Sequence, residues 1–481
     1  MAAILATRRF TPADQLVFAR LSGDFNPIHI DLVAARRTVA GQCVVHGMHS
    51  LLWALNVLAR ACVCSRVNVR FLKPIFLDEE VSCTWDAKTG KLILAVDGIK
   101  VIDITVEPGT VAVSIRDLIP PAPTAPRNQP AQRTFADCAR LPSQPFELHG
   151  DPDIATELFP DAVQAYGSTV LHEIAALSYV VGMELPGMNS LFAGLHLEIR
   201  PTLDQPPSFA TIDSDERFNR LRIGVMGRTL HGKIEAFYRP SPMHMPASAA
   251  LIPRIRPGEF QSICALIIGG SRGLGEVTAK LIAAGGGTVI ITYSAGVEEA
   301  RQVAVDIQRS GGQCKMLPLT VKDVTILPPG LSGINQLYYF ATPKIFGKRT
   351  SQFDETLYQK FLMVYVNGFE SICKQLIASG NRFSAFYPSS VAIEQPLPEL
   401  AEYAKAKSEG EALCGRLNAG QWQLDMLTSR LPRTATDQTQ TLLQTPASDP
   451  VEVMLPLIRK MANFSNTKDT THPQKHRPNA V

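Results

Sequence analysis

Residues 262–292 set the tightest limit on what this chain can fold into. Ser262 to Ile268 (SICALII) is a nearly continuous apolar run, the pattern of a strand buried on both faces of a parallel sheet. Gly269-Gly270-Ser271-Arg272-Gly273-Leu274-Gly275 follows directly, then an amphipathic stretch to about Ala284 and a second apolar run, Thr288 to Thr292. A strand, a glycine turn, a helix and a strand in that order are the setting a dinucleotide requires. Glycines let the backbone approach the pyrophosphate, and the helix N-terminus stabilises its charge. Gly269, Ser271, Arg272, Gly273, Leu274 and Gly275 are the residues expected at the phosphates.

The spacing Gly-x-x-x-Gly-x-Gly resembles that of the short-chain dehydrogenase/reductases. That resemblance implies a Tyr-x-x-x-Lys more than a hundred residues on, and Tyr403-Ala404-Lys405-Ala406-Lys407 supplies it. It implies a serine 13 positions before the tyrosine, which is Ser390, and a helix asparagine of a proton relay, matched by Asn367 in Val364-Tyr365-Val366-Asn367-Gly368. Taken alone, Tyr403 and Lys407 are an exposed i,i+4 pair on a charged helix. With Ser390 and Asn367 they read as a carbonyl reductase site. Lys407, one turn from Tyr403, is expected to lower the phenol pKa and to hold the nicotinamide ribose. Tyr403 exchanges the proton and Ser390 orients the oxygen. The second strand runs into Tyr293-Ser294, with no acidic residue to bind a ribose 2′-hydroxyl. With Arg272 in the loop and Ser294 at the strand end, NADPH is preferred and NAD remains possible. Three positions depart from the family. Tyr339-Phe340-Ala341-Thr342 stands for Asn-Asn-Ala-Gly, Thr320-Val321 for Asp-Val, and Pro432-Arg433 for Pro-Gly.

A second constellation lies near the start. Phe18 to Ala35 reads FARLSGDFNPIHIDLVAA, with Asp24 and His29 five residues apart in a segment bent by Gly23 and Pro27. A carboxylate and an imidazole at fixed separation suit proton work on water. The plainer reading is an Asn-Pro turn with an Asp as helix cap and a surface histidine. The full string, an aromatic, Ser-Gly-Asp-x-Asn-Pro-Ile-His and then the small Ala35, resembles the R-specific enoyl-CoA hydratases, the MaoC-like hot-dog proteins. The resemblance makes Asp24 and His29 the catalytic pair. Val44-Val45-His46-Gly47-Met48 then opens the family's buried central helix, expected over the apolar stretch Ser50 to Val63. The Gly47 N–H at its start would stabilise a thioester oxygen becoming an enolate.

Between these ends the pattern supports a multidomain α+β and α/β chain. Residues 1–110 read as a MaoC-like hot-dog domain, with an alternating strand at Arg66–Phe71 and turns at Lys88–Lys91 and Asp97-Gly98. Residues 111–145 are a proline-rich linker. Residues 146–245 read as a second, non-catalytic hot-dog completing a double hot-dog. They give a helix at Leu171–Val181, a strand marked by Leu195, Leu197 and Ile199, and a hairpin at Met226–Lys233. His172 and His196 lack an aspartate at the matching offset; an unrelated α+β domain is the alternative. Proline-rich residues 239–258 lead into a Rossmann-type doubly wound parallel sheet over 259–462, and a polar tail at 463–481 is expected to be disordered.

Composition excludes some classes. The net charge is +3 with no sizeable basic run, so nucleic acid is not an expected partner. No apolar run is long enough for a membrane span, and the N-terminus does not read as a signal peptide. Nine scattered cysteines match no zinc spacing, so no metal is expected, and reduced thiols of a cytoplasmic protein are. The two motifs share one intermediate, the 3-hydroxyacyl group. The expected protein is a bifunctional acyl-thioester enzyme, hydratase and 3-ketoacyl reductase, acting on acyl-CoA or acyl-carrier-protein thioesters as a homo-oligomer. It resembles peroxisomal multifunctional β-oxidation proteins, which fuse these activities in the opposite order. Two alternatives stay open: a hydratase with a non-catalytic nucleotide-binding domain, or a reductase of a non-acyl carbonyl with a thioester-binding hot-dog.

Overall fold

Alternation builds the first sheet. In β2 (Cys64–Phe71), Val67 and Val69 are buried while Arg66, Asn68 and Arg70 face solvent, as a strand with one wet face requires. A two-residue turn links β4 (Lys91–Val96) to β5 (Ile99–Pro108), with φ of 51° at Asp97 and 74° at Gly98, the primed geometry that matches strand twist. The computed structural model describes residues 3–109, 127–200, 206–323, 326–347, 350–395, 397–419, 424–442 and 445–469. Met1–Ser241 with Gln440–Thr445 forms one unit, and Pro242–Thr439 with Pro446–Val481 the other.

The first unit is a ten-stranded antiparallel sheet. Besides the strands named, it holds β1 (Ala3–Arg9), β3 (Glu80–Asp86), β6 (Gln144–Pro145), β7 (Ser190–Ile199), β8 (Ser208–Asp215), β9 (Arg220–Met226) and β10 (Leu230–Tyr238). Its order is β1-β3-β4-β5-β2-β7-β10-β9-β8-β6. Read from each edge inward, the two halves repeat one order, and they meet where β2 pairs with β7 through Val67↔Leu197 and Val69↔Leu195. Three helices matter here: α1 (Pro12–Ser22), α2 (Gly47–Ala59) and α3 (Ser168–Tyr179). Helix α2 enters β2, and α3 leads through a π turn, Val180–Glu184, toward β7. Both helices are apolar on nearly every side, as helices wrapped by a sheet must be. This is the hot-dog layout, twice over.

The second unit is a six-stranded parallel sheet of order β13-β12-β11-β14-β15-β16. Its strands are β11 (Cys264–Ile268), β12 (Thr288–Tyr293), β13 (Gln313–Pro318), β14 (Gln336–Tyr339), β15 (Ser384–Ser390) and β16 (Asp425–Leu431). Along β11, Ala265 and Ile267 enter one apolar cluster, and Leu266 and Ile268 another. Helices therefore cover both faces, among them α4 (Gly273–Ala284), α5 (Ala401–Ala419) and α6 (Pro450–Asp469). The order reverses beside β11, the switch point where doubly wound sheets bind ligands.

Three expectations need correction. The segment read as linker to residue 145 is structured from 127 onward: Phe135–Ala139 is a helix with a Thr134–Asp137 capping box, and Gln144–Pro145 is the edge strand β6. Its part at 111–126 lies outside the described residues. The second linker holds a short helix, Ser248–Leu251. Helix α6 runs to Asp469, beyond the predicted start of the tail; 470–481 lie outside the described residues. Proline density misled because prolines open or flank short elements without preventing them. Among the described residues no helix is long and apolar enough to cross a membrane.

Candidate functional site

Helix α1 stops at Ser22 because Gly23 takes a φ of 77° and its N–H closes on the Ala19 carbonyl. A Cβ there would lie 2.7 Å from that of His149, so space as well as φ demands glycine. The chain then folds on itself. Asp24 Oδ1 accepts from Asn26 N at 3.0 Å, and Asn26 Oδ1 accepts from Ile28 N at 3.2 Å. Pro27 opens the short turn that carries His29. Asp24 is 1% exposed.

His29 Nδ1 is 2.8 Å from the Val44 carbonyl. A carbonyl only accepts, so Nδ1 holds the proton and Nε2 is the free acceptor. The ring stacks on His46 with centroids 3.8 Å apart. His46 is itself fixed from α1: its backbone N–H and its Nδ1 both reach Gln15 Oε1, at 3.0 and 2.9 Å. Its Nε2 lies 3.1 Å from the Asp24 carbonyl and 3.9 Å from Asp24 Oδ2. Asp24, His29 and His46 each offer a polar atom within 4.8 Å of the others.

Burial raises the Asp24 carboxyl above its ordinary pKa, against the lowering influence of His29 and of the Ser178 hydroxyl. Burial lowers His29, and burial with His29 alongside holds His46 well below the ordinary value. A buried acid that keeps its proton longer sits beside an imidazole that stays neutral. Gly47 begins α2, whose N-cap His46 makes no side-chain cap bond, so the first N–H groups lack intrahelical partners. A Cβ at 47 would come within 2.9 Å of the Phe71 ring.

In the second unit, Gly269 (φ 79°) and Gly273 (φ 59°) shape the loop between β11 and α4. A Cβ on Gly270 would meet Ile291 at 2.7 Å, and one on Gly275 the Gly269 carbonyl at 2.2 Å. The loop is therefore a bare-backbone cradle at a helix N-terminus, which fits a nucleotide pyrophosphate. Ser271 and Leu274 are half-buried in it, and exposed Ser294 Oγ lies 3.1 Å from Thr320 Oγ1. Arg272 Nη1 is 3.6 Å from Asp437 Oδ2.

Ser390 ends β15 and hydrogen-bonds Tyr403 on α5. Lys407 Nζ donates to the Pro388 carbonyl at 2.7 Å and sits 3.9 Å from the centroid of the Tyr365 ring. Burial drops its pKa to about 7. Two expectations fail here. Burial raises the Tyr403 phenol, with Ser390 opposing, and Lys407 is not among the groups that lower it. Asn367 is exposed on a π turn, Met363–Gly368; Tyr365, two residues earlier, faces Lys407 and Tyr403 instead. Tyr365 shares a 2.6 Å hydroxyl bond with Thr342, and Tyr339 reaches the Val364 carbonyl. The departures at 339 and 342 thus belong to one rebuilt corner.

Residues 4–101 match the family described as MaoC like domain. Two curated relatives are similar. One is 3-hydroxyacyl-thioester dehydratase X of Mycobacterium tuberculosis, 38% identical over 73 residues, 15% of this chain and 26% of that protein. The other is the (R)-specific enoyl-CoA hydratase of Aeromonas caviae, 32% identical over 81 residues, 16% of this chain and 60% of that protein. The chain therefore spans 26% and 60% of the lengths of these relatives. Among solved structures, the angucycline C-6 ketoreductase LanV with bound NADP aligns over 44% of this chain and 93% of its own, at 16% identity and a TM-score of 0.37. A 3-oxoacyl (acyl-carrier-protein) reductase from Agrobacterium tumefaciens C58 with NADP bound aligns over 42% and 88%, at 16% identity and a TM-score of 0.36.

In the first unit the structure brings Asp24, His29 and His46 together, with Gly47 next to His46 at the start of α2. Sequence reading left His46 without a role, although it stands beside Gly47. Gln15 and Ser178 carry no motif at all; only the fold shows what they hold.

Proposed function

We propose that the chain is a bifunctional acyl-thioester enzyme, an (R)-specific 2-enoyl hydratase joined to a 3-ketoacyl reductase. The observation that carries the first half is the Asp24–His29–His46 cluster at the N-terminus of α2, with Asp24 and His46 buried and His29 half-buried. His29 Nε2 takes a proton from water as the oxygen adds to C3 of the enoyl thioester. Asp24 delivers a proton to C2, and the proton on His29 returns to Asp24 to reset the pair. The Gly47 N–H holds the enolate oxygen between these steps. No metal is needed, and chelation with EDTA is expected to leave hydration unchanged.

The second half exchanges the resulting 3-hydroxyacyl thioester with its 3-keto form. The Gly269–Gly275 loop holds the pyrophosphate and Lys407 the nicotinamide ribose; a nicotinamide nucleotide, when bound, supplies the hydride. Tyr403 gives the proton to the ketone oxygen and Ser390 orients it. NADPH is preferred over NADH, supported by Arg272 in the loop and Ser294 where an acidic residue would repel a 2′-phosphate. The substrates are CoA or carrier-protein thioesters. The two halves of the ten-stranded sheet, the second running from residue 127 to 241, act as the two hot-dogs and the second unit as the reductase, and the protein works as a homo-oligomer in the cytoplasm, where its free cysteines stay reduced.

Incubation with 3-ketobutyryl-CoA and NADPH tests the whole reading. Both 3-hydroxybutyryl and crotonyl products are expected; neither product appearing overturns it. A second reading rests on Tyr365 standing over Lys407 and on the rebuilt 339–342 corner: the second unit binds the nucleotide without reducing a substrate. Tight NADPH binding with no ketone reduction, in a protein that still hydrates crotonyl-CoA, decides for it.

A further inference from the structure

The second half of the ten-stranded sheet has no Asp-x-Asn-Pro-x-His of its own, yet it surrounds the Asp24 carboxylate. Ser178, in the last turn of α3, donates to Asp24 Oδ2 at 2.7 Å, and it is 4% exposed. The π turn Val180–Glu184 follows directly. A Cβ on Gly182 would fall 2.3 Å from Asp24 Oδ1 and 2.5 Å from Oδ2, so a bare Cα there makes room for the carboxylate. Asn26 Nδ2 ties the same loops together through the Gly182 carbonyl at 2.8 Å and the Gly187 carbonyl at 3.1 Å. π turns insert one residue into a helix and recur at functional sites. Here the insertion places Gly182 under Asp24, just beyond the serine that bonds it.

We propose that Ser178 is a positioning residue for Asp24, and that the Val180–Glu184 turn, through Gly182, is the seat for its carboxylate. The half without the motif is thus part of the hydratase site. Ser178 occupies one lone pair of Oδ2, while Asn26 N occupies Oδ1, which fixes the carboxyl plane with its remaining acceptor directions toward His46 and His29. The role rests on the reading of Asp24 as the proton donor.

The test uses the full chain. Ser178→Ala is expected to lower kcat for crotonyl-CoA hydration about tenfold, the scale of one hydrogen bond to a charged group, with KM little changed. Loss of the bond removes a group that favours the ionised carboxyl, so the donor keeps its proton to higher pH and the alkaline limb of kcat/KM moves to higher pH. Ser178→Thr, which keeps the hydroxyl, restores both. In an Asp24→Asn background the alanine variant has no further effect. Gly182→Ala, with its circular dichroism unchanged, loses activity by a larger factor. An equal loss in Ser178→Ala and Ser178→Thr, or an unmoved pH limb, overturns the proposal. Infrared titration of the Asp24 carboxyl in wild type and Ser178→Ala decides it without any turnover: an upward shift supports it, an identical titration overturns it. If the wild type hydrates nothing, the hydratase reading falls while that titration still reports on Ser178.

Discussion

The two sites bury polar groups in different ways. Around Asp24 nearly every ring nitrogen and carboxyl oxygen meets a defined partner: Val44, Gln15, Asn26 and Ser178. Around Lys407 the ammonium meets one carbonyl and the faces of Tyr365 and Tyr387. Burying an ion costs several kcal/mol unless paired hydrogen bonds offset it. The first site holds its groups in fixed register through those hydrogen bonds. The second lets its lysine slide toward neutrality, with a pKa of about 7. A motif names the candidate groups, and their neighbours set the charge they carry.

The largest expected effect separates the sites outright. Asp24→Asn should cut crotonyl-CoA hydration by about a thousandfold, within the range for a lost general acid, and leave NADPH-dependent reduction of 3-ketobutyryl-CoA at its wild-type rate. Equal loss of both activities would break the picture of two independent pockets. Tyr403→Phe is the mirror experiment: reduction is expected to fall about a hundredfold with hydration unchanged, measured on the same preparations. A smaller effect concerns the cofactor. Arg272→Ala should raise KM for NADPH about tenfold, one charge-assisted bond's worth, and KM for NADH far less. The same change for both would show that Asp437, 3.6 Å away, is the partner that matters to Arg272.

The smallest effect sharpens the contrast in burial. Tyr365→Asn exchanges the aromatic face over Lys407 for a polar amide, so the lysine pKa should rise from about 7. A lysine with a depressed folded pKa binds its proton better in the unfolded chain, so stability climbs with pH above about 7 toward the ordinary lysine range. The substitution should flatten that climb, read as melting temperature between pH 6 and pH 9. An unchanged slope would mean that the ring does not set the lysine's charge.

Much of the fold was legible because local pattern and burial coincide. Val67 and Val69 alternate with polar residues, and SICALII reads as a doubly covered strand; both became the strands expected of them. The bend at Gly23–Pro27 and the helix start at Gly47 were legible because both are local events. The structured stretch at 127–145 was not, since its capping box and edge strand hide among prolines. Asn367 misled for a geometric reason: a π turn changes which residue of Val364–Asn367 looks inward, and nothing in the local pattern announces the extra residue.

The sequence by itself settled which chemical groups are present, and which bends and helix starts display them, since φ preferences and short hydrogen bonds act over a few residues. Only the tertiary structure decided what those groups lean on. Gln15 lies 31 residues from His46, and Ser178 lies 154 from Asp24. Such pairs meet because two apolar helices must both be covered by one sheet, and hydrophobic burial, being non-directional, writes no local mark of which side chains it will bring together.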